Sequence, residues 1–281
     1  MSRIVYVNGE FLPEEDAKIS VFDRGFLFAD GVYEVSSILE GRLIDNAAHL
    51  ARLKRSLDEL DMDLPISLKE FVGVQEKLVR DNNVNEGALY LQVTRGAADR
   101  DFAYPKDVTP SLVMFTQAKK LISNASAENG IAIISVEDIR WARRDIKTVQ
   151  LLAPSMAKQA ALNAGANDAW LVEDGFVTEG SSNNAYIIKD GVLITRHLSN
   201  SILHGITRAA VLQLCEESNV KLEERAFTMD EAYGADEAFI TSATTFVWPV
   251  VKMDGKDIGN GKPGPITKRL RKLYVEAALS N

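Results

Sequence analysis

The chain has 281 residues, 46% apolar and 26% charged, which is enough for one large or two modest domains and excludes a disordered chain. A net charge of −8 excludes nucleic acid as an obligatory partner, because phosphate binding needs a basic face. Cys215 is the single cysteine, so no internal disulfide can form. No stretch approaches the roughly 18 apolar residues of a membrane span, and the expectation is a cytoplasmic protein that does not touch membranes.

In chain order, Arg3 to Val7 reads as a strand, turned at Asn8-Gly9 onto Glu10-Phe11-Leu12. Strand character resumes at Asp30 to Val35, with a further hairpin at Glu40-Gly41. Asn46 to Leu60 is an amphipathic helix, with Leu50, Leu53, Leu57 and Leu60 at helical spacing and Asn46 as its expected cap. Ser67 to Asn82 is a second. Ala88 to Thr94 and Ser111 to Thr116 read as strands, joined by the loop that carries Arg100. The polar run Lys119 to Gly130 is the expected linker, giving a smaller domain over 1–118, a connection over 119–130 and a larger domain over 131–281.

The larger domain opens with the strand Ile131 to Val136. A helix follows over Met156 to Ala164, with Pro154 just inside its start and Gly165 as its expected C-cap. Ala169 to Val172, Gly175 to Val177 and Ala185 to Ile188 read as an antiparallel meander, and Val192 to Thr195 follows a turn at Asp190-Gly191. Leu203-His204-Gly205-Ile206-Thr207 precedes a helix over Ala209 to Ser218, and free amides at such a start suit an anion. The strands Glu237 to Ile240 and Val247 to Met253 and a helix over Gly264 to Ala278 finish the chain. Three histidines and one cysteine, all scattered, build no usual zinc site, so no metal is expected.

The stretch Arg143 to Asn184 carries the chemistry. Lys147 stands among Ile146, Thr148 and Val149, where desolvation can turn an amine into a Schiff-base nucleophile. Glu179 follows in a polar turn, and a carboxylate there can keep a pyridinium nitrogen protonated. Lys158 is the weaker candidate, on an exposed helix face.

D-I-K-T-x-x-x-L, A-K-Q-A-A-x-x-x-G-A-x-D-A, V-T-E-G-S-S-N-N, I-L-x-G-I-T-R and T-S-A-T-T occur in that order. Together they resemble the fold-type IV pyridoxal-phosphate enzymes, and D-I-K-T with T-E-G-S-S-N is most similar to the D-amino acid transaminase branch. The resemblance runs from about Tyr6 to the last helix. It implies an α+β protein of two domains, a smaller N-terminal α/β one and a larger one rich in antiparallel strands, with pyridoxal 5′-phosphate in the cleft between them. It also implies a homodimer whose active site lies at the subunit interface.

Residue by residue, the resemblance makes Lys147 the cofactor lysine and Glu179 the partner of the pyridine nitrogen. H-L-A-R-L matches the family's H-x-x-R-L, which makes Arg52 a phosphate ligand; without the motif it is a surface arginine. Leu203, Gly205, Ile206 and Thr207 join Ser242, Ala243 and Thr244 around the phosphate, with Ala243 standing where relatives often carry a threonine. Ser181, Ser182 and Asn183 either line the cofactor or only make the turn. Tyr33 is either a substrate-pocket hydroxyl or an aromatic packed in a sheet. Arg100 falls on the arginine that traps the substrate carboxylate from the neighbouring subunit, but Phe102 replaces the histidine of that trap, leaving Arg24 and Arg144 as further candidates.

The implied reaction is ping-pong transamination, with D-alanine or D-glutamate as donor and pyruvate or 2-oxoglutarate as acceptor. The rival readings are an (R)-selective amine transaminase, a branched-chain L-amino acid transaminase, aminodeoxychorismate lyase, and a cofactor-binding module without turnover.

Overall fold

The computed structural model describes residues 2–280 and divides into two compact units, one running to Lys120 and including Ile146–Gln150, the other made of Leu121–Asp145 and the chain from Leu151 onward. The first contains β1 (Ile4–Val7), β2 (Glu10–Pro13), α1 (Arg24–Phe28), β3 (Gly31–Leu39), β4 (Arg42–Leu43), α2 (Asn46–Asp58), α3 (Leu68–Asp81), β5 (Glu86–Thr94) and β6 (Ser111–Ala118). Its strands form one antiparallel sheet in the order β2-β1-β6-β5-β3-β4.

Alternation along β5 turns Leu89, Leu91 and Val93 inward, where they pack with Leu50, Leu53 and Leu57 of α2 and Phe71 and Leu78 of α3. The opposite face carries Tyr33, Val35, Tyr90, Gln92, Val113 and Phe115, all half-buried. A capping box of Ser67 and Glu70 starts α3. Asn46 does not cap α2. The cap position is Asp45, in a left-handed conformation, and the Asn46 amide instead exchanges hydrogen bonds with Gln75 of α3.

Residues 146–150 complete this unit. Toward its start β3 is paired on one side only, by β5, because β4 reaches no further than Ile38. The segment fills the other side: Tyr33 N donates to Lys147 O (3.0 Å), Val149 N donates to Gly31 O (3.0 Å), and Val32 bridges Thr148. Ile146 is 3% exposed within the core of this unit, a burial that contributes about 1.5–3 kcal/mol.

The second unit contains α4 (Ala125–Asn129), β7 (Ile131–Glu137), α5 (Leu152–Asn163), β8 (Asp168–Glu173), β9 (Phe176–Gly180), β10 (Asn184–Lys189), β11 (Val192–Thr195), α6 (Ile206–Glu217), β12 (Lys221–Glu224), α7 (Met229–Tyr233), β13 (Glu237–Ser242), β14 (Phe246–Met253), β15 (Lys256–Asp257) and α8 (Pro265–Ser280). The polar run expected to be a linker thus contains α4. One sheet runs β12-β11-β10-β13-β14-β7-β8-β9, with β15 beside β14. Most pairings are antiparallel; β11–β12, β14–β7 and β7–β8 are parallel.

The expected meander is broken. β8 and β9 pair, but β10 lies between β11 and β13, because Ala185 and Ile187 complete a core with Ala238 and Ile240. Gly165, at φ +74°, follows α5 as expected, one residue past the cap position of Ala164. Among the described residues no helix is long and apolar enough to cross a membrane.

Truncating Ile146→Ala is expected to cost about 2–5 kcal/mol, read as a lowered midpoint of thermal or urea unfolding. An unchanged midpoint would mean that Ile146 does not anchor the segment.

Candidate active site

In the first unit, the edge pairing on β3 sets the half-buried Lys147 beside Tyr33, with Nζ 4.3 Å from the ring centroid. That is cation–π range. Tyr33 stacks on Tyr90 (5.6 Å) and Tyr90 on Phe115 (4.9 Å), three rings contributed by adjacent strands. Burial raises the Tyr90 phenol well above the usual tyrosine range, and its hydroxyl donates to Gln92.

Arg52 lies one layer away, on α2. Its Nε and Nη2 donate to the two oxygens of Glu34 (2.7 and 2.8 Å), and His49 Nδ1 lies 2.8 Å from Oε2. That edge of the guanidinium fork is therefore committed to a carboxylate of its own chain. Burial alone would raise the Glu34 carboxyl, but the Arg52 fork and His49 outweigh it and hold the pKa at about 2. Sequence reasoning assigned Glu34 no part. The available signal was a charge at a core-facing position of a strand, between Val32 and Ile38.

The loop after β5 is built on a shared carboxylate. Arg24 and Arg95, both buried, each direct Nε at Asp30 Oδ2 (2.8 Å). Arg95 lies over the Tyr104 ring, with Cζ 3.6 Å from the centroid. Arg24 donates through Nη1 to Asp101 O (2.6 Å) and Ala103 O (3.4 Å). Arg100 is exposed. Arg144, in the second unit, is engaged by Glu173.

In the second unit, Glu179 on β9 is 3% exposed and fully hydrogen-bonded. Oε1 accepts from Arg140 Nη1 (2.5 Å), Oε2 from Asn184 Nδ2 (3.0 Å), and Leu203 N approaches both oxygens (3.2 and 3.1 Å). Arg140 is itself gripped by Asp138 through Nε (2.9 Å) and Nη2 (2.7 Å), and Thr178 Oγ1 donates to the same carboxylate. Burial raises the Glu179 carboxyl, and Arg140 and the Leu203 amide only partly offset it. Arg140 and Asp138 were missed from sequence, since an Asp-x-Arg after a strand has no special look, and Asn184, though in the V-T-E-G-S-S-N-N motif, was given no role.

Ser181 Oγ and Asn183 Nδ2 bind the buried Asp168, so both hold the turn together, while Ser182 is exposed. Lys158 is partly exposed, donates to Asn167 O and lies 3.5 Å from Asp168. Gly205 is the cap position of α6, and Thr207 is buried in its first turn. The first-turn amides, including those of Ile206 and Thr207, have no acceptor within the helix. A Cβ on Gly205 would lie 2.0 Å from Asn184 Oδ1, so only glycine fits there. Ser242 Oγ pairs with Thr245 Oγ1 (2.8 Å) in the turn that holds the half-buried Ala243 and Thr244.

The model of the amino-transferase class IV family matches residues 31–253, a span that includes Lys147, Glu179 and the start of α6. The chain belongs to this family. It is 41% identical over 277 residues to a D-alanine aminotransferase of Staphylococcus aureus strain N315, covering 97% of this chain and 98% of the relative. It is 43% identical over 276 residues to a D-alanine aminotransferase of Bacillus licheniformis, covering 98% and 97%. Among solved structures it resembles the T.th. branched-chain amino acid aminotransferase with pyridoxamine 5′-phosphate (TM-score 0.91, 27% identity, 99% and 94% covered). The Escherichia coli branched-chain amino acid aminotransferase shares the fold (TM-score 0.93, 24% identity, 99% and 95% covered).

Glu34 gives this class IV chain a definite acid response. Its folded pKa lies at about 2 against 4.5 for a free carboxyl, so its contribution is full above about 4.5 and is lost as the pH falls toward 2. Urea unfolding between pH 5 and 2 is expected to steepen in this window. Glu34→Gln should flatten the slope yet lower stability at pH 7 by about 3–5 kcal/mol, because it removes one charge of a buried ion pair. An unaltered slope would contradict the assignment.

Proposed function

We propose that the chain is a pyridoxal-phosphate-dependent D-amino acid transaminase, acting on D-alanine or D-glutamate with pyruvate or 2-oxoglutarate as acceptor, by a ping-pong cycle. The observation that carries this reading is the identity of 41% and 43% to D-alanine aminotransferases over nearly the whole chain. The structure's own features fit the cofactor. Lys147 offers an amine on an aromatic face. Glu179 is a buried carboxylate whose raised affinity for a proton suits a ring nitrogen. The first turn of α6, closed against any side chain at Gly205, suits a phosphate.

When bound, such a cofactor draws electrons from the donor's Cα into its ring. Lys147 would hold the cofactor through its amine, and the same amine would serve as the base and acid that moves the donor's Cα proton. Glu179 shares a proton with the ring nitrogen, and Arg140 fixes that carboxylate in place. Arg52, braced by Glu34, serves the phosphate with Leu203, Gly205, Ile206, Thr207, Ser242, Ala243 and Thr244. Ser182 and Asn183 shape the cofactor's surroundings from the β9 turn. Tyr33 lines the substrate pocket, and Arg100 holds the substrate carboxylate.

The protein acts as a homodimer in the cytoplasm, with Arg100 serving the partner's site. The smaller domain is the unit that runs to Lys120 together with Ile146–Gln150, and the larger is Leu121–Asp145 with the chain from Leu151.

A second reading, a branched-chain L-amino acid transaminase, draws support from the T.th. enzyme. A half-reaction titration separates the two. D-alanine is expected to bleach the cofactor absorbance of the loaded protein and L-leucine to leave it; the reverse would move the chain to the second reading. Lys147→Ala is expected to abolish turnover and to prevent borohydride from fixing the cofactor to the chain. Retention of both would overturn the role of Lys147.

A further inference from the structure

The geometry points to Phe28 and Phe102, braced by Arg24, as positioning residues that aim the guanidinium of Arg100 at the substrate carboxylate. This rests on the reading of Arg100 given above. Arg100 Cζ lies 5.3 Å from the Phe28 ring centroid and 5.5 Å from that of Phe102. The two rings meet edge to face at 5.5 Å. Three groups thus sit at nearly equal separations, each within the range of a favourable ring or cation contact. The arrangement is anchored: Arg24, 3% exposed, lies with Cζ 4.5 Å from the same Phe28 ring.

Arg24 also fixes Phe102 through the backbone. The carbonyls it binds, Asp101 O and Ala103 O, flank Phe102 on either side. Asp30 also binds Arg24, and Tyr104 ties the end of the loop to Arg95. The loop is therefore pinned at 101, 103 and 104. Arg100 and Phe102 are left exposed, two residues apart, with Phe102 79% accessible. A ring beside a guanidinium restricts its planar fork to fewer orientations. The edge-to-face rings do by orientation what the expected histidine would do by an additional hydrogen bond.

The test uses the cofactor-loaded protein and compares Phe102→Leu, Phe28→Leu, the double variant and Arg100→Gln. The readouts are KM and kcat for D-alanine and the calorimetric Kd of propanoate, an unreactive carboxylate. Each lost ring is expected to raise KM and Kd roughly two- to fivefold, with KM rising more than kcat falls. Arg100→Gln should raise both further. If Arg100→Gln raises them and neither Phe102→Leu nor the double variant does, the platform is overturned while the reading of Arg100 stands. If Arg100→Gln changes neither, that reading fails and the platform with it. Phe102→Leu, at an exposed position, decides the matter should Phe28→Leu fail to fold.

Discussion

Two backbone hydrogen bonds decide where the central lysine stands. Tyr33 N to Lys147 O and Val149 N to Gly31 O zip a five-residue segment to the open edge of β3, and Ile146 drives its side chain into the core beneath. Each bond contributes only about 0.5–1.5 kcal/mol, but they come from a rigid strand with a fixed register. The lysine therefore inherits the position of the sheet. Its contact with Tyr33, and the Tyr33–Tyr90–Phe115 stack behind it, follow from that register.

The two buried glutamates show how one residue type is given opposite proton affinities. Glu34 receives a two-pronged fork and an imidazole, and the fork's charge faces it directly, so burial loses. Glu179 receives a single nitrogen of Arg140, whose other side is engaged by Asp138, so that cation is divided between two anions and burial wins. A carboxylate meant to stabilise structure is best kept ionised; one meant to share a proton is best left near the balance. The neighbours of each glutamate, more than its depth, set which of these it becomes.

Much of this was legible in the sequence. Leucines at helical spacing marked α2 and alternation marked β5, whereas α6 begins at Ile206, ahead of the expected Ala209, because Gly205 takes the cap position. What failed did so because the deciding partner lay far along the chain. Asn46 looks like a cap until Gln75, on another helix, claims its amide. β10 looks like the third strand of a meander until apolar residues of β13 offer it a better face. β12, Lys-Leu-Glu-Glu, has no strand signal and exists because the β11 backbone gives it a parallel partner. Arg140 carries no motif, and Asn184 ends the V-T-E-G-S-S-N-N motif without a role assigned to it; only the folded arrangement turns both toward Glu179.

The return of residues 146–150 to the first unit also shapes how the molecule can be made. During synthesis, β3 has no partner for its open edge until Gln150 has emerged, well after Lys120 and the first 25 residues of the second unit, Leu121–Asp145, have been produced. The first unit is thus non-contiguous, and its last contacts are long-range ones that pay loop-closure entropy before they form. A fragment ending at Lys120 would expose a bare strand edge beside an apolar gap where Ile146 belongs, a surface of the kind that seeds edge-to-edge association. For this chain, solubility on the ribosome depends on a segment that belongs to one unit in space and to the other in sequence.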